Sequence, residues 1–360
     1  MRLIFACKLA PQGRDLSQCP YGRYHHLPKE LSAIGHEVAI ALLDPRDSGP
    51  ICLERDGVSR LGRSVRRLGF SGTSKWLAEV AIEMKADWIV GASDAWVGCI
   101  AKSASRLARC QLALDAYDNF ESYMPWNLPL HWLWRRALAS ADLVTAAGPQ
   151  LAALLARHHR REVAVVPMAA DPEFFARPRD ECRSQLNLPT DAPIFGYFGG
   201  WTRSRGSFVL SDAFDLVCRR LPNARLLLSG NPPSWATDRP GVIRLGYLPD
   251  HMMPIAINAC DVACVVSDTS AFGNFSYPAK LYEAFACQIR VAATNTPPIA
   301  WIANGQAAVL AAPRSASALT DAMVEAFALR KVGDSVIPTW VERARAYSAL
   351  LDGASHKAPR

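Results

Sequence analysis

Short, nearly continuous apolar runs alternate along the chain with helix-length segments that are apolar on one side only. In the first half the runs cover residues 3–6, 37–42, 87–90, 111–114, 143–146 and 163–166. Strands buried on both faces of a parallel sheet read this way. The segments between them, residues 24–34, 74–85, 95–108, 130–139 and 149–157, predict helices. The second half repeats the grammar. Strands are expected over 194–198, 225–229, 242–245, 262–265, 290–293 and 308–310, and helices over 207–220, 252–258, 279–286 and 317–329. This is the alternation of a doubly wound α/β fold, given twice.

Proline and charge rise over 172–188, where the two halves should join. Thr339 is the expected N-cap of a last amphipathic helix over 340–351. The predicted division is therefore 1–172, 173–335, and a helix with a polar tail over 336–360 that returns to the first domain. Ligands in such folds bind beyond the carboxyl ends of the strands, where strand order reverses. Two such domains facing each other would put a site in the cleft between them.

Composition narrows the class. With 360 residues, 50% of them hydrophobic and 20% charged, the chain can pack a core in each of about two domains. No apolar run approaches the roughly 20 residues of a membrane-spanning helix. The short apolar N-terminus reads as a buried strand, not a signal peptide. Ten cysteines are scattered without a Cys-x-x-Cys pair, which suggests reduced thiols in a cytoplasmic protein. Of the net charge of +7, residues 1–170 hold +5 (21 Lys and Arg against 16 Asp and Glu). That excess is too dispersed to imply nucleic acid.

Several motifs, taken in order, resemble GT-B glycosyltransferases of the large retaining family four, the glycosyltransferase group 1 type. They are GYFGGWTRSRG over 196–206, VIRLGYLP over 242–249, ACDVACVV over 259–266 and YPAKLYEAFA over 277–286. In the first half, Ala141-Asp142 and the hinge at 165–175 match too, with Ala169 where the family has glycine. The resemblance implies transfer of a sugar from a nucleotide-diphosphate donor to a glycan or lipid-linked acceptor, with retention and without metal or other cofactor. Surface polysaccharide or glycolipid assembly is the implied setting. Two other readings stay open: a GT-B sugar-nucleotide epimerase, and a catalytically silent GT-B partner subunit.

The residues supply their own chemistry. Gly199 and Gly200, between a strand and a helix, can bring backbone N–H groups to an anion, and Arg203 and Arg205 add charge there. By themselves these are equally a solvated surface loop; the resemblance favours diphosphate binding, with Arg205 acting on the leaving group. Lys280 and Glu283 lie three apart on a helix opened by Pro278. They are an ordinary surface pair or, by resemblance, a phosphate contact and a ribose contact, with Leu281 beside them. Tyr247 falls in the base-reading segment. The family's first glutamate is missing: Phe275 stands eight positions before Glu283, and 267–277 carries only Asp268. Sugar contacts are expected instead from backbone N–H groups of Asn274, Phe275 and Ser276.

In the first half, Asp118 falls nearest the family's usual histidine and is either catalytic or a turn former, while Asp115 reads as a cap of the next turn. Gly22 and Arg23 match the loop that faces donor phosphate and acceptor. His25 and His26 read as packing residues before they read as bases. Two stretches could meet an anionic membrane surface: the basic segment 59–70, with four arginines, and the Trp- and Arg-rich segment 126–136.

Overall fold

A computed structural model describes residues 1–201, 206–329 and 337–355, divided into two units. The first comprises Met1–Ala169 together with the chain from Thr339 onward; the second is Ala170–Pro338.

The first unit runs β1 (Arg2–Lys8), α1 (Arg23–Ala33), β2 (Glu37–Asp44), β3 (Ile51–Arg55), β4 (Val58–Ser64), α2 (Val65–Glu83), β5 (Trp88–Ala92), α3 (Ala95–Ala108), β6 (Gln111–Ala116), α4 (Leu128–Ser140), β7 (Leu143–Ala146), α5 (Pro149–Ala156) and β8 (Ala164–Val165). Its eight strands lie in the order β3-β4-β2-β1-β5-β6-β7-β8. All pairs are parallel except β3 with β4. β5 is buried along its whole length and β2 from Val38 to Asp44, as their apolar runs require. Strand order reverses between β1 and β5, so the loops after those two strands open a crevice.

The basic segment 59–70, expected as a candidate membrane surface, is split between two elements. Its first part is β4, paired with β2 and β3, and α2 begins at Val65 and kinks at Gly69. Arg60 points inward and is 1% exposed. It donates to the Leu16 carbonyl at 2.7 Å and to His25 at 2.8 Å, so it cannot meet lipid.

The second unit runs α6 (Arg179–Gln185), β9 (Ile194–Tyr197), α7 (Phe208–Arg220), β10 (Arg225–Ser229), α8 (Ser234–Thr237), β11 (Val242–Gly246), α9 (Met253–Asn258), β12 (Val262–Val265), α10 (Ala279–Ala286), β13 (Arg290–Thr294), α11 (Pro297–Ala303), β14 (Ala308–Ala311) and α12 (Ala316–Ala328). The sheet order is β11-β10-β9-β12-β13-β14, all parallel, with the reversal between β9 and β12. Asp261 pins the start of β12: it accepts from the Ile194 N–H and from Arg183, both at 2.7 Å.

The last helix, α13 (Trp340–Ser355), belongs to the first unit. A capping box opens it: the Glu342 carboxylate accepts from the Thr339 N–H at 2.7 Å, and Thr339 Oγ1 accepts from the Glu342 N–H at 3.3 Å. Ala344, Tyr347 and Leu351, spaced three and four apart, are wholly buried against the unit. Ser348 meets His36 at 2.8 Å.

Candidate functional site

In the second unit the carboxyl ends of β9 and β12 bring the glycine turn near the start of α10. Tyr197 ends β9 and folds back under the turn, its hydroxyl donating to the Gly200 carbonyl at 2.8 Å. A Cβ on Gly199 would lie 2.5 Å from that ring, so glycine is required there on packing grounds alone. Lys280, in the first turn of α10, holds its ammonium 5.9 Å from the centre of the same ring. One aromatic side chain thus links the turn to the lysine, although 80 residues separate Gly200 from Lys280 in the sequence. Glu283 follows one helical turn into α10 and is half-buried. Tyr247 extends from the end of β11, 82% exposed. Arg203 and Arg205 lie outside the described residues.

The loop after β12 departs from expectation. A Cβ on Gly273 would fall 1.8 Å from the Asp268 carbonyl, so the chain folds on itself at this point. The Asn274 N–H donates to the Ser270 carbonyl and the Phe275 N–H to the Phe272 carbonyl, at 3.0 and 3.1 Å. Those two N–H groups are used inside the turn and are not available to a sugar; Ser276 remains the candidate. Asp268 does not replace the missing glutamate either. Arg314 grips both its oxygens, at 2.7 and 2.8 Å, and this pairing lowers its carboxyl pKa. Leu281 is wholly buried, and its N–H donates to the Pro278 carbonyl at 3.1 Å, so it packs the core.

In the first unit Arg23 is not a loop residue facing a ligand. It opens α1, is 3% exposed, and donates through Nε and Nη2 to both oxygens of Asp115, each at 2.7 Å. It also donates to the carbonyls of Val166 and Pro167 at 2.9 and 3.3 Å. Asp115 caps no turn. It ends in β6 and also accepts from Thr145 at 2.5 Å. This is a structural ion pair whose oxygens are largely taken. Gly22 precedes it with open space above, since a Cβ there would meet nothing within 4 Å.

Asp118 follows β6 and is 6% exposed, accepting from the Tyr123 hydroxyl at 2.7 Å. Burial, with Asp118 next in effect, pushes the Tyr117 and Tyr123 phenols upward, so both stay protonated. Sequence reading missed the pair that stands at the strand-order reversal. Lys8, ending β1, donates to Asp94, just after β5, at 2.6 Å. Its N–H donates to the hydroxyl of Ser93, which holds a φ of 75°. Asp94 occupies the N-cap position of α3 without capping it through its side chain, and nothing in the sequence couples two residues 86 apart. Lys8 also lies 5.6 Å from the centre of the Tyr123 ring, which ties this pair to Asp118. His25 and His26 are buried, and His26 stacks on Trp340 at 6.0 Å.

Two units of parallel sheet, each with polar groups at the point of strand reversal, define the GT-B class. Residues 22–169 match the family model "Glycosyl transferase 4-like domain", and residues 192–328 match "Glycosyl transferases group 1". The chain belongs to the group 1 glycosyltransferases. It is 26% identical over 193 residues to "Putative teichuronic acid biosynthesis glycosyltransferase TuaC" of Bacillus subtilis, covering 53% of this chain and 48% of that protein. The chain thus spans about half the length of that relative. Its fold is similar to sucrose-phosphate synthase from Thermosynechococcus elongatus, at 17% identity over 99% of this chain and 97% of that one, with a TM-score of 0.70. It is equally similar to Anabaena Alr3699/HepE in complex with UDP-glucose, at 15% identity over 99% and 98%, with a TM-score of 0.70.

Proposed function

We propose that the chain transfers a sugar from a UDP-sugar to a carbohydrate hydroxyl during assembly of a surface polysaccharide, with retention and without a metal. The observation that carries this reading is the convergence of the Gly199–Gly200 turn and Lys280 on Tyr197, in a unit whose sequence matches the group 1 family. UDP is favoured because a similar fold binds UDP-glucose. The polysaccharide setting rests on the teichuronic acid relative.

In this reading the turn, the start of α10 and the Lys280 ammonium hold the donor's diphosphate. Glu283 accepts from the ribose hydroxyls, and Tyr247 lies against the base. Arg203 and Arg205 join the diphosphate site on the strength of the resemblance. As the sugar–phosphate bond breaks, negative charge grows on the leaving UDP, and fixed cations there lower the barrier more than they tighten binding. Asp118, with the Lys8–Asp94 pair beside it, orients hydroxyls of the reacting sugars.

UDP release from a panel of UDP-sugars, with and without glycan acceptors, tests the reading. Release that requires an acceptor, persists in EDTA and gives a product of unchanged anomeric configuration is the expected result. Acceptor-independent rearrangement of the donor would establish the epimerase instead. Absence of any turnover together with absent UDP binding would leave a silent subunit.

A further inference from the structure

Helix α4 carries an apolar face that nothing in its own unit covers. Trp126 is 76% exposed just before it, and Leu128, Trp132 and Leu133 are 69, 56 and 43% exposed along it. Trp134, on the opposite side, is 2% exposed and fills the core beside α3. The outward tryptophan and leucines are therefore not spillover from core packing. A cluster of this kind marks a contact surface.

The same face continues into positive charge. Leu128, Trp132 and Arg136 are spaced four apart and share one side of the helix. Arg136 lies 4.6 Å over the Trp132 ring. It also lines a groove with Lys102, Arg106 and Arg109 from the end of α3, and with Arg160. Asp142 is the acidic residue among the lining residues, and its carboxylate accepts from the Leu112 N–H at 3.0 Å. Among the described residues none of the five cations forms an ion pair. Glu121, just before α4, is taken by Arg135 at 2.6 Å. Burial first, then the charges of Arg106 and Arg136, depress the Lys102 pKa.

We infer that this face of the first unit, α4 with the basic groove beside it, docks on an anionic lipid bilayer. The charge chooses the occupant. A protein partner would satisfy the tryptophans, but five cations against the one carboxylate of Asp142 in the groove beside them match a surface dense in phosphate. Tryptophan at headgroup depth with arginine beside it is the pattern of interfacial binding. No helix of the described residues is long and apolar enough to cross a membrane, so the contact is peripheral. The inference does not rest on the transfer reaction, and no activity assay enters its test.

The test is flotation of the full chain with vesicles of phosphatidylcholine alone and of phosphatidylcholine mixed with phosphatidylglycerol. Binding to the mixed vesicles only, weakened by salt, is expected. Arg106→Gln with Arg136→Gln should lower the partition about five-fold per charge removed. Leu128→Ser with Trp132→Ser should lower it about ten-fold or more by removing buried apolar surface. Arg66→Gln with Arg67→Gln, on α2, should change little. Quenching of tryptophan fluorescence by brominated-chain lipid provides a readout on the unsubstituted chain. No flotation and no quenching, equal binding by the α4 variants, equal loss in the α2 control, or capture by soluble heparin without vesicle binding would each overturn the inference.

Discussion

Asp115 sits where one change separates a structural role from a catalytic one. Its carboxylate accepts both donors of a buried Arg23 and the Thr145 hydroxyl. Asp115→Ala would leave that guanidinium buried without its charge partner, at a cost of about 3–5 kcal/mol. Urea unfolding should register that loss whatever happens to activity. Glu283 is the contrasting case, half-buried on α10 with a proposed ligand contact. Glu283→Ala should leave the unfolding midpoint nearly unchanged and weaken UDP binding by about 1.5–3 kcal/mol, read by calorimetry. His25 contributes to acid behaviour, alongside His36 and His159, whose pKa values burial also lowers. Burial, then the charges of His26 and Arg60, lower the His25 pKa to about 4. An arginine can only donate, so His25 Nδ1 must keep its lone pair toward Arg60. The unfolded chain takes up this proton near pH 6.5 and the folded chain only near 4. Stability is therefore complete above 6.5 and falls as pH drops to 4, by up to about 3 kcal/mol. Denaturation at pH 7 and pH 5 should show the loss, and His25→Gln should reduce it.

At the scale of elements, what was legible followed from burial. Strands covered on both faces announce themselves as apolar runs, and all six strands expected in the second unit fall within a residue of those observed. The hairpin of β3 and β4 was not legible. Buried and less buried positions alternate along β4, but the inner ones include Arg60, Gly62 and Ser64, which carry no hydrophobic signal. With no apolar run to mark a strand, 59–70 reads only as a basic stretch. The short helices α6, α8 and α11 also escaped, being too brief for periodicity to declare them. The donor-side motifs could be read because each is local in sequence. The Lys8–Asp94 pair could not, because only the sheet's strand order brings it together. The turn after β12 offers a test at this scale. Gly273→Ala must displace the Asp268 carbonyl, and overpacking of this kind costs about 1–3 kcal/mol or more. A lower urea midpoint together with weaker UDP binding is expected, since this turn leads directly into α10.

For the molecule as a whole, the decisive element is α13. Trp340, Tyr347 and Leu351 are 3, 0 and 0% exposed. At about 1.5–3 kcal/mol for each large apolar side chain, their burial is comparable to the entire stability of a typical domain. A chain ending at Pro338 should therefore lose the cooperative unfolding of the first unit, while the α6 to α12 unit keeps its own transition. Calorimetry resolving two transitions in the full chain and one in the shortened chain would bear this out. The same helix imposes a chronology. On the ribosome the strands of the first unit emerge before any of Ala170–Pro338, yet the helix that seals their core is made only after the whole of Ala170–Pro338. Domains generally fold as they are completed. The half synthesised first is thus the half finished last, and it must wait with an open hydrophobic flank while its younger neighbour folds. Chaperone dependence and sensitivity to proteases during synthesis should accordingly concentrate in the N-terminal unit.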